Sequence, residues 1–171
     1  MKDIIKIARC VCFKCSKLLI NKDAHKHIMN WASDARWSYV SSLAAGVKRC
    51  GEATLDGCGC KQPDIKLEGM ATVLALWENM DTEKEERMIT MKLTPEMILK
   101  IFRRISDDDV SFMGFHPLWS RPNWMVLEVL PVPPPAVRPS VKHDAQQRSE
   151  DDLTHIYINI IKTNNILKEK L

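Results

Sequence analysis

Cys10-Val11-Cys12-Phe13-Lys14-Cys15-Ser16-Lys17-Leu18-Leu19 carries three of the six cysteines in the 171-residue chain, and the other three are Cys50, Cys58 and Cys60. Cys12-Phe13-Lys14-Cys15 is a C-x2-C knuckle, a spacing that lets two thiolates converge on one metal from a tight turn. The second half is less regular, because Cys50 stands alone and Cys58-Gly59-Cys60 follows later. Six clustered thiols with none after Cys60 point to a metal rather than a disulfide framework in a reducing compartment. Four thiolates at about 2.3 Å around a tetrahedral zinc form a closed structural site, whereas a catalytic zinc keeps an open position. The competing reading is a set of buried free cysteines. Spacing alone does not choose between Cys58 and Cys60. His25 and His27 are substitute ligands in principle, though enough cysteines are present and both are expected on a solvated helix face.

Hydrophobic residues make up 45% of the chain and charged residues 27%, a globular composition that argues against wholesale disorder. Twenty-five basic against 22 acidic side chains leave a net charge of +3. That imbalance does not by itself advertise a nucleic-acid partner, so any such contact must be local. Runs such as Val126–Leu130 fall far short of the roughly 20 residues needed to span a bilayer. The opening Met1-Lys2-Asp3-Ile4-Ile5-Lys6 lacks a signal-peptide pattern. Neither a membrane protein nor a secreted one is indicated.

From the cysteine region outward, the pattern predicts an α+β fold. A helix is expected from Asp23 to about Gly46, with Ile28, Trp31, Ala35, Tyr39 and Leu43 on its apolar face. Met70–Trp77 and Arg87–Leu93 read as a β-hairpin around the acidic linker Glu78–Glu86. Thr94-Pro95 opens a helix with a side-chain cap and a first-turn proline, and Met97, Ile98, Ile101, Phe102 and Ile105 form its buried stripe. Val73, Trp77, Ile89, Ile98 and Phe102 are expected in the core. Asp107-Asp108-Asp109 reads as an exposed acidic turn rather than a metal site, since three successive carboxylates point in different directions. Phe115 to Pro122 is a loop, with Arg121 bonded to nearby carbonyls or a carboxylate, and Trp124–Leu130 a buried strand. Pro131-Val132-Pro133-Pro134-Pro135-Ala136-Val137-Arg138-Pro139 is extended and semi-rigid. After the polar segment 140–148, Ser149 is expected to cap a last helix with acids at 150–152 and Leu153, Ile156, Ile160, Ile161 and Leu167 along one side. The chain stops in or just past that helix, which suggests a segment of something larger.

Read together, several stretches resemble the clamp head of the largest subunit of eukaryotic-type RNA polymerase II. They are residues 10–19, Gly57-Cys58-Gly59 with Gln62-Pro63, Ser120–Leu127, Leu130–Ser140 and Gln147–Thr154, matching in the same order. Residues 20–50 match only loosely, as in a divergent eukaryotic or large-DNA-virus lineage.

The resemblance implies a zinc-containing clamp-head region over residues 1–130, then a proline-rich strut, a lid loop and the start of the clamp core over 131–171. It implies structural zinc on Cys12, Cys15, Cys50 and Cys58, leaving Cys10 and Cys60 over. The lid, from about Arg138 to Ser149, helps keep the emerging transcript apart from the template strand. Its implied nucleic-acid contacts are Arg138, Lys142, His143, Gln147 and Arg148. The family lid usually carries phenylalanine where this chain has His143, and glycine where it has Ser149. Histidine still stacks on a base but is smaller and more polar. Implied partners are the other polymerase subunits, template DNA and nascent RNA, in the nucleus of a cell or, for a virus, in the cytoplasm or virion. The family's catalytic Asn-Ala-Asp-Phe-Asp-Gly-Asp motif does not occur in this sequence. No catalytic residue is assigned, and magnesium belongs to the parent enzyme. The readings set against this one are a stand-alone zinc-stabilised protein-interaction module and a free-standing nucleic-acid binder.

Overall fold

A computed structural model describes residues 1–54, 56–77, 89–142 and 148–170, with Lys142 and Arg148 described by their backbone alone. They fall into two compact units, Met1–Leu127 and Glu128–Leu171. In chain order the elements are α1 (Lys2–Cys10), α2 (Ser33–Ala44), β1 (Asp64–Glu68), β2 (Thr72–Trp77), β3 (Ile89–Leu93), α3 (Pro95–Arg103), α4 (Asp107–Phe112), β4 (Val141–Lys142), β5 (Arg148–Ser149) and α5 (Asp152–Lys170). The α+β class holds.

The first unit is organised by a three-stranded antiparallel sheet in the order β1-β2-β3. Pairing sets Ile65 opposite Ala75 and Val73 opposite Leu93, and all four are buried. The period of two therefore commits one face of the sheet to the core. These four join Ile5 and Ile7 of α1, Val40 and Ala44 of α2, Ile98, Ile101 and Phe102 of α3, and Val110 of α4 in one continuous buried cluster, with α1 packed on β1 and α2 and α3 on α1. Thr94 caps α3 as its sequence demands, its Oγ1 accepting the Met97 N–H at 3.3 Å. Arg9 carries α1 onto β1 by donating from Nε to the Ile65 carbonyl at 3.0 Å. Gly114, at φ 94°, ends the turn after α4, and a Cβ there would strike the Ser33 carbonyl oxygen. The absence of a side chain lets that turn abut the start of α2.

Several expectations are corrected. The span from Asp23 to Gly46 is not one helix: a 3-10 turn, Lys26–Asn30, is followed by a break and then α2. Trp31, in the break, and Ala35 are exposed, while Val40 and Ala44 of α2 are buried. Helix α1 and strand β1 were not expected, although Ile4, Ile5, Ile7 and Ala8 carry a helical pattern. The hairpin is present as β2 and β3; its linker 78–86, with Arg87 and Met88, lies outside the described residues. Ile89 is 54% exposed and so is not a core residue, while Trp77 is only partly buried. Trp124–Leu130 is not a buried strand. A 3-10 turn, Pro122–Met125, opens it, and Trp124, Leu127 and Val129 are exposed.

Asp107–Asp109 forms the first turn of α4, where carboxylates favour the positive end of the helix dipole; Asp107 and Asp108 are exposed as expected, and Asp109 is not. Ser106 caps that helix, its Oγ accepting the Asp109 N–H at 3.1 Å. Asp109 is only 5% exposed, pairs with Lys22 Nζ at 2.5 Å and accepts the Leu18 N–H at 3.4 Å. Arg121 plays the structural part expected of it, paired with Asp107 and donating to the Ile105 carbonyl at 2.9 Å.

In the second unit the proline run is extended up to a 3-10 turn at Pro135–Val137. Two side chains of the run and of α5 hold it: Tyr157 donates to the Pro131 carbonyl at 3.0 Å, and Arg138 bridges the Pro133 carbonyl (3.0 Å) and Thr154 Oγ1 (3.3 Å). The cap of α5 is Asp151 rather than Ser149, its carboxylate accepting the Leu153 N–H at 3.1 Å; Ser149 belongs to β5. None of the described residues of α5 is buried, and Ile156, Ile161 and Leu167 are exposed. Among the described residues, no helix is long and apolar enough to cross a membrane.

Because Asp109 is buried and Lys22 remains half exposed, removing the carboxylate costs less than breaking a fully desolvated pair. Asp109→Ala is expected to destabilise the chain by about 2–3 kcal/mol, and Asp109→Asn, which keeps an acceptor for Leu18, by less. Denaturant unfolding of the two variants checks the order.

Candidate metal centre

Two loops build the centre. The first runs straight out of α1: Val11 bridges Leu18, the Cys12 N–H donates to the Lys17 carbonyl at 2.8 Å, and the Ser16 N–H to the Cys12 carbonyl at 2.8 Å. These bonds fold the C-x2-C segment so that both thiols point the same way, with Ser16 in the left-handed region at φ 62°. The second loop closes through Arg49 bridging Lys61, the Cys50 N–H on the Cys60 carbonyl (2.9 Å) and the Gly59 N–H on the Cys50 carbonyl (3.0 Å). Gly57 is required here, since a Cβ would overlap the Gly51 backbone and lie 2.6 Å from the Cys50 carbonyl carbon.

The loops bring Cys12, Cys15, Cys50 and Cys58 together, with all four sulfurs within 4.8 Å of one another. Cys12 Sγ lies 3.5 Å from Cys58 Sγ, and Cys15 Sγ lies 3.7 Å from Cys50 Sγ. A regular tetrahedron of zinc–sulfur bonds of about 2.3 Å has edges of about 3.8 Å. The donor set, its number and its spacing thus fit one tetrahedral soft-ligand metal ion, with no position left open for water or substrate. Cys12 and Cys50 are buried and Cys58 is exposed, so the site lies at the surface with its floor on Leu19.

The thiols do not share one acidity. Burial opposes ionisation of Cys12, but hydrogen bonds from the Cys15 and Lys14 backbone and from Gln62 outweigh it and bring the thiol down to about 7. Burial pushes Cys50 up to about 12 and raises Cys15. A cation at the centre would displace the protons these two sulfurs retain.

Of the two cysteines the spacing left open, Cys58 lies in the group of four and Cys60 does not. Cys10 closes α1 as a buried thiol donating to the Lys6 carbonyl at 3.1 Å. His25 and His27 lie apart, in an aromatic cluster with Trp31 and Tyr39; His25 is half-buried rather than solvated, its Nδ1 3.2 Å from the Tyr39 hydroxyl. The sequence reading did not single out the side-chain roles of Gln62 and Trp77 at this site. Gln62 meets both loops, and Trp77 donates from Nε1 to the Lys61 carbonyl (3.3 Å) while its ring stands edge-on to Phe13 at 5.4 Å. Gln62, two residues beyond the last cysteine and before a proline, was the available signal.

Of the residues assigned to nucleic acid, Arg138 is half-buried and engaged within the second unit as described. Lys142 and Arg148 are opposite each other in the two-stranded ribbon of β4 and β5. His143 and Gln147 lie outside the described residues.

The family model described as RNA polymerase Rpb1, domain 1, matches residues 1–171. A curated relative, DNA-directed RNA polymerase II subunit RPB1 of Euplotoides octocarinatus, is 37% identical over 179 residues, an alignment that covers 99% of this chain and 37% of the relative. The chain thus spans little more than a third of that relative's length. A cysteine centre joined to a small antiparallel sheet, inside a match that runs from the first residue to the last, places the chain in the RNA polymerase Rpb1 domain 1 family.

Proposed function

We propose that the chain is the clamp-head and lid segment of the largest subunit of a multisubunit DNA-directed RNA polymerase, pinned by a structural zinc on Cys12, Cys15, Cys50 and Cys58. The convergence of four thiols within a full-length family match carries this reading. Zinc suits the site because it accepts four thiolates without redox chemistry, and a closed tetrathiolate gives it folding rather than catalytic work. The nucleotidyltransferase activity belongs to the assembled enzyme, as does its magnesium, since the aspartate motif that holds magnesium in the family is not in this sequence. The exposed apolar side chains of α5 and of residues 118–132 give the chain surfaces suited to other polymerase subunits. The subcellular site follows from the source: nuclear for a cell, cytoplasmic or virion for a virus.

The lid role rests on the ribbon of β4 and β5, in which two basic residues, Lys142 and Arg148, are paired. In this reading Lys142 and Arg148 would meet phosphates of the transcript or template. Arg138 ties the proline strut to α5 and thereby fixes the ribbon's root, so its contribution combines anchoring with charge.

Purified chain should contain about one zinc. Cys58→Ser should lower that content and Cys60→Ser should leave it intact, as read by elemental analysis; equal behaviour of the two variants would remove the ligand assignment. Because the thiols must lose protons to bind, zinc affinity should strengthen as pH rises, and calorimetry in buffers of different ionisation enthalpy should register proton release. In an assembled polymerase, Lys142→Ala with Arg148→Ala should weaken the elongation complex and flatten its salt dependence by about one to two phosphate contacts. Unchanged transcript displacement and salt dependence would remove the electrostatic role.

A further inference from the structure

Gln62 uses every polar atom of its side chain at the boundary between the two metal-binding loops. Its Oε1 accepts the N–H of Phe13, inside the C-x2-C knuckle, at 2.9 Å. Its Nε2 donates to the Cys60 carbonyl at 2.8 Å and to Cys12 Sγ at 3.3 Å. Its own main-chain N–H donates to the Lys48 carbonyl at 2.8 Å, which seats the residue on the second loop. The carboxamide has a single orientation consistent with these partners: an N–H requires an acceptor, and a carbonyl and a sulfur require donors.

We infer that Gln62 is a positioning residue of the metal centre, whose side-chain N–H stabilises the Cys12 thiolate while its carbonyl holds the knuckle against the second loop. The inference rests on the zinc reading above. Four thiolates around one divalent cation leave a net charge of about −2, which hydrogen-bond donors offset and solvent or a competing chelator exploits. The Lys14 N–H, 3.4 Å from Cys12 Sγ, is one such donor and comes from the knuckle itself. The Gln62 N–H comes from a residue 50 positions away, so the same bond that quiets the sulfur also fastens one pair of ligands to the other. A methionine or glutamate here would keep much of the shape; only glutamine supplies acceptor and donor together.

The test uses zinc-loaded full chain as wild type, Gln62→Met and Gln62→Glu. Zinc transfer to an excess of a chromophoric pyridylazo chelator gives the release rate, and cobalt(II) in place of zinc gives the sulfur-to-metal charge-transfer band. Both variants should release zinc about 10–100-fold faster, the usual cost of removing a partner of a metal ligand. Their cobalt bands should move to lower energy, because a thiolate stripped of its donor gives up charge more readily. Gln62→Glu decides the matter, since it retains the acceptor for Phe13 while losing the side-chain N–H groups that face the Cys12 sulfur and the Cys60 carbonyl, and the cobalt band reports the sulfur separately from the lost carbonyl bond. Wild-type release with an unmoved band in Gln62→Glu overturns the inference while leaving the zinc site standing. A wild-type chain that holds no zinc and shows no cobalt–thiolate band overturns both.

Discussion

The meeting of four sulfurs is the constraint on which the first unit depends. Cys12 reaches Cys58 across 46 residues and Cys15 reaches Cys50 across 35. Closing loops of that length costs chain entropy that a small polar surface loop does not recover by itself. The buried apolar cluster beneath the sulfurs is slight: Leu19, with Val47 and the cysteines themselves. In the proposed reading a shared cation would supply the missing cohesion, and because an unfolded chain offers no such site, its binding energy would become folding energy. The closed ligand set then reads as a fastening, not as a reaction centre.

The sheet and helices form a separate source of stability joined to the cysteine loops at few points. The main core, from Ile5 through Phe102 to Met113, is continuous and includes Cys10 but not the four clustered cysteines. Between the two regions run α1, which leads directly into the knuckle, and Lys22–Asp109, which ties the segment after the knuckle to α4. The second unit differs in kind. Its strut is held by side chain-to-carbonyl bonds, and α5 buries nothing among the described residues, so the cohesion of that unit owes little to apolar packing.

Local chemistry was readable wherever one residue dictates a conformation. Thr94-Pro95 gave the start of α3, the C-x2-C gave the knuckle, and the prolines gave an extended strut. Tertiary choices were not. Continuous amphipathic spacing from Asp23 to Gly46 conceals the break at Trp31, because exposed aromatics follow the helical period as well as buried ones do. Trp124–Leu130 has the composition of a buried strand, yet hydrophobicity says only that a surface seeks cover, not that this chain provides it. Asp109 was misread for the opposite reason: a carboxylate within an acidic triplet looks solvated until Lys22, 87 residues earlier, arrives beside it. The choice of the four clustered cysteines followed from family resemblance, whereas spacing alone left Cys58 and Cys60 equivalent.

Trp77 occupies an informative place at the end of β2. Its indole N–H is bonded to the loop that carries Cys58, and its ring rests on Phe13 between Cys12 and Cys15. Indole emission depends on the polarity and rigidity of the groups around the ring, so with the other four tryptophans replaced this one would gauge optically whether the two loops are joined. The chain carries its own probe of assembly at the point where sheet and cysteines meet.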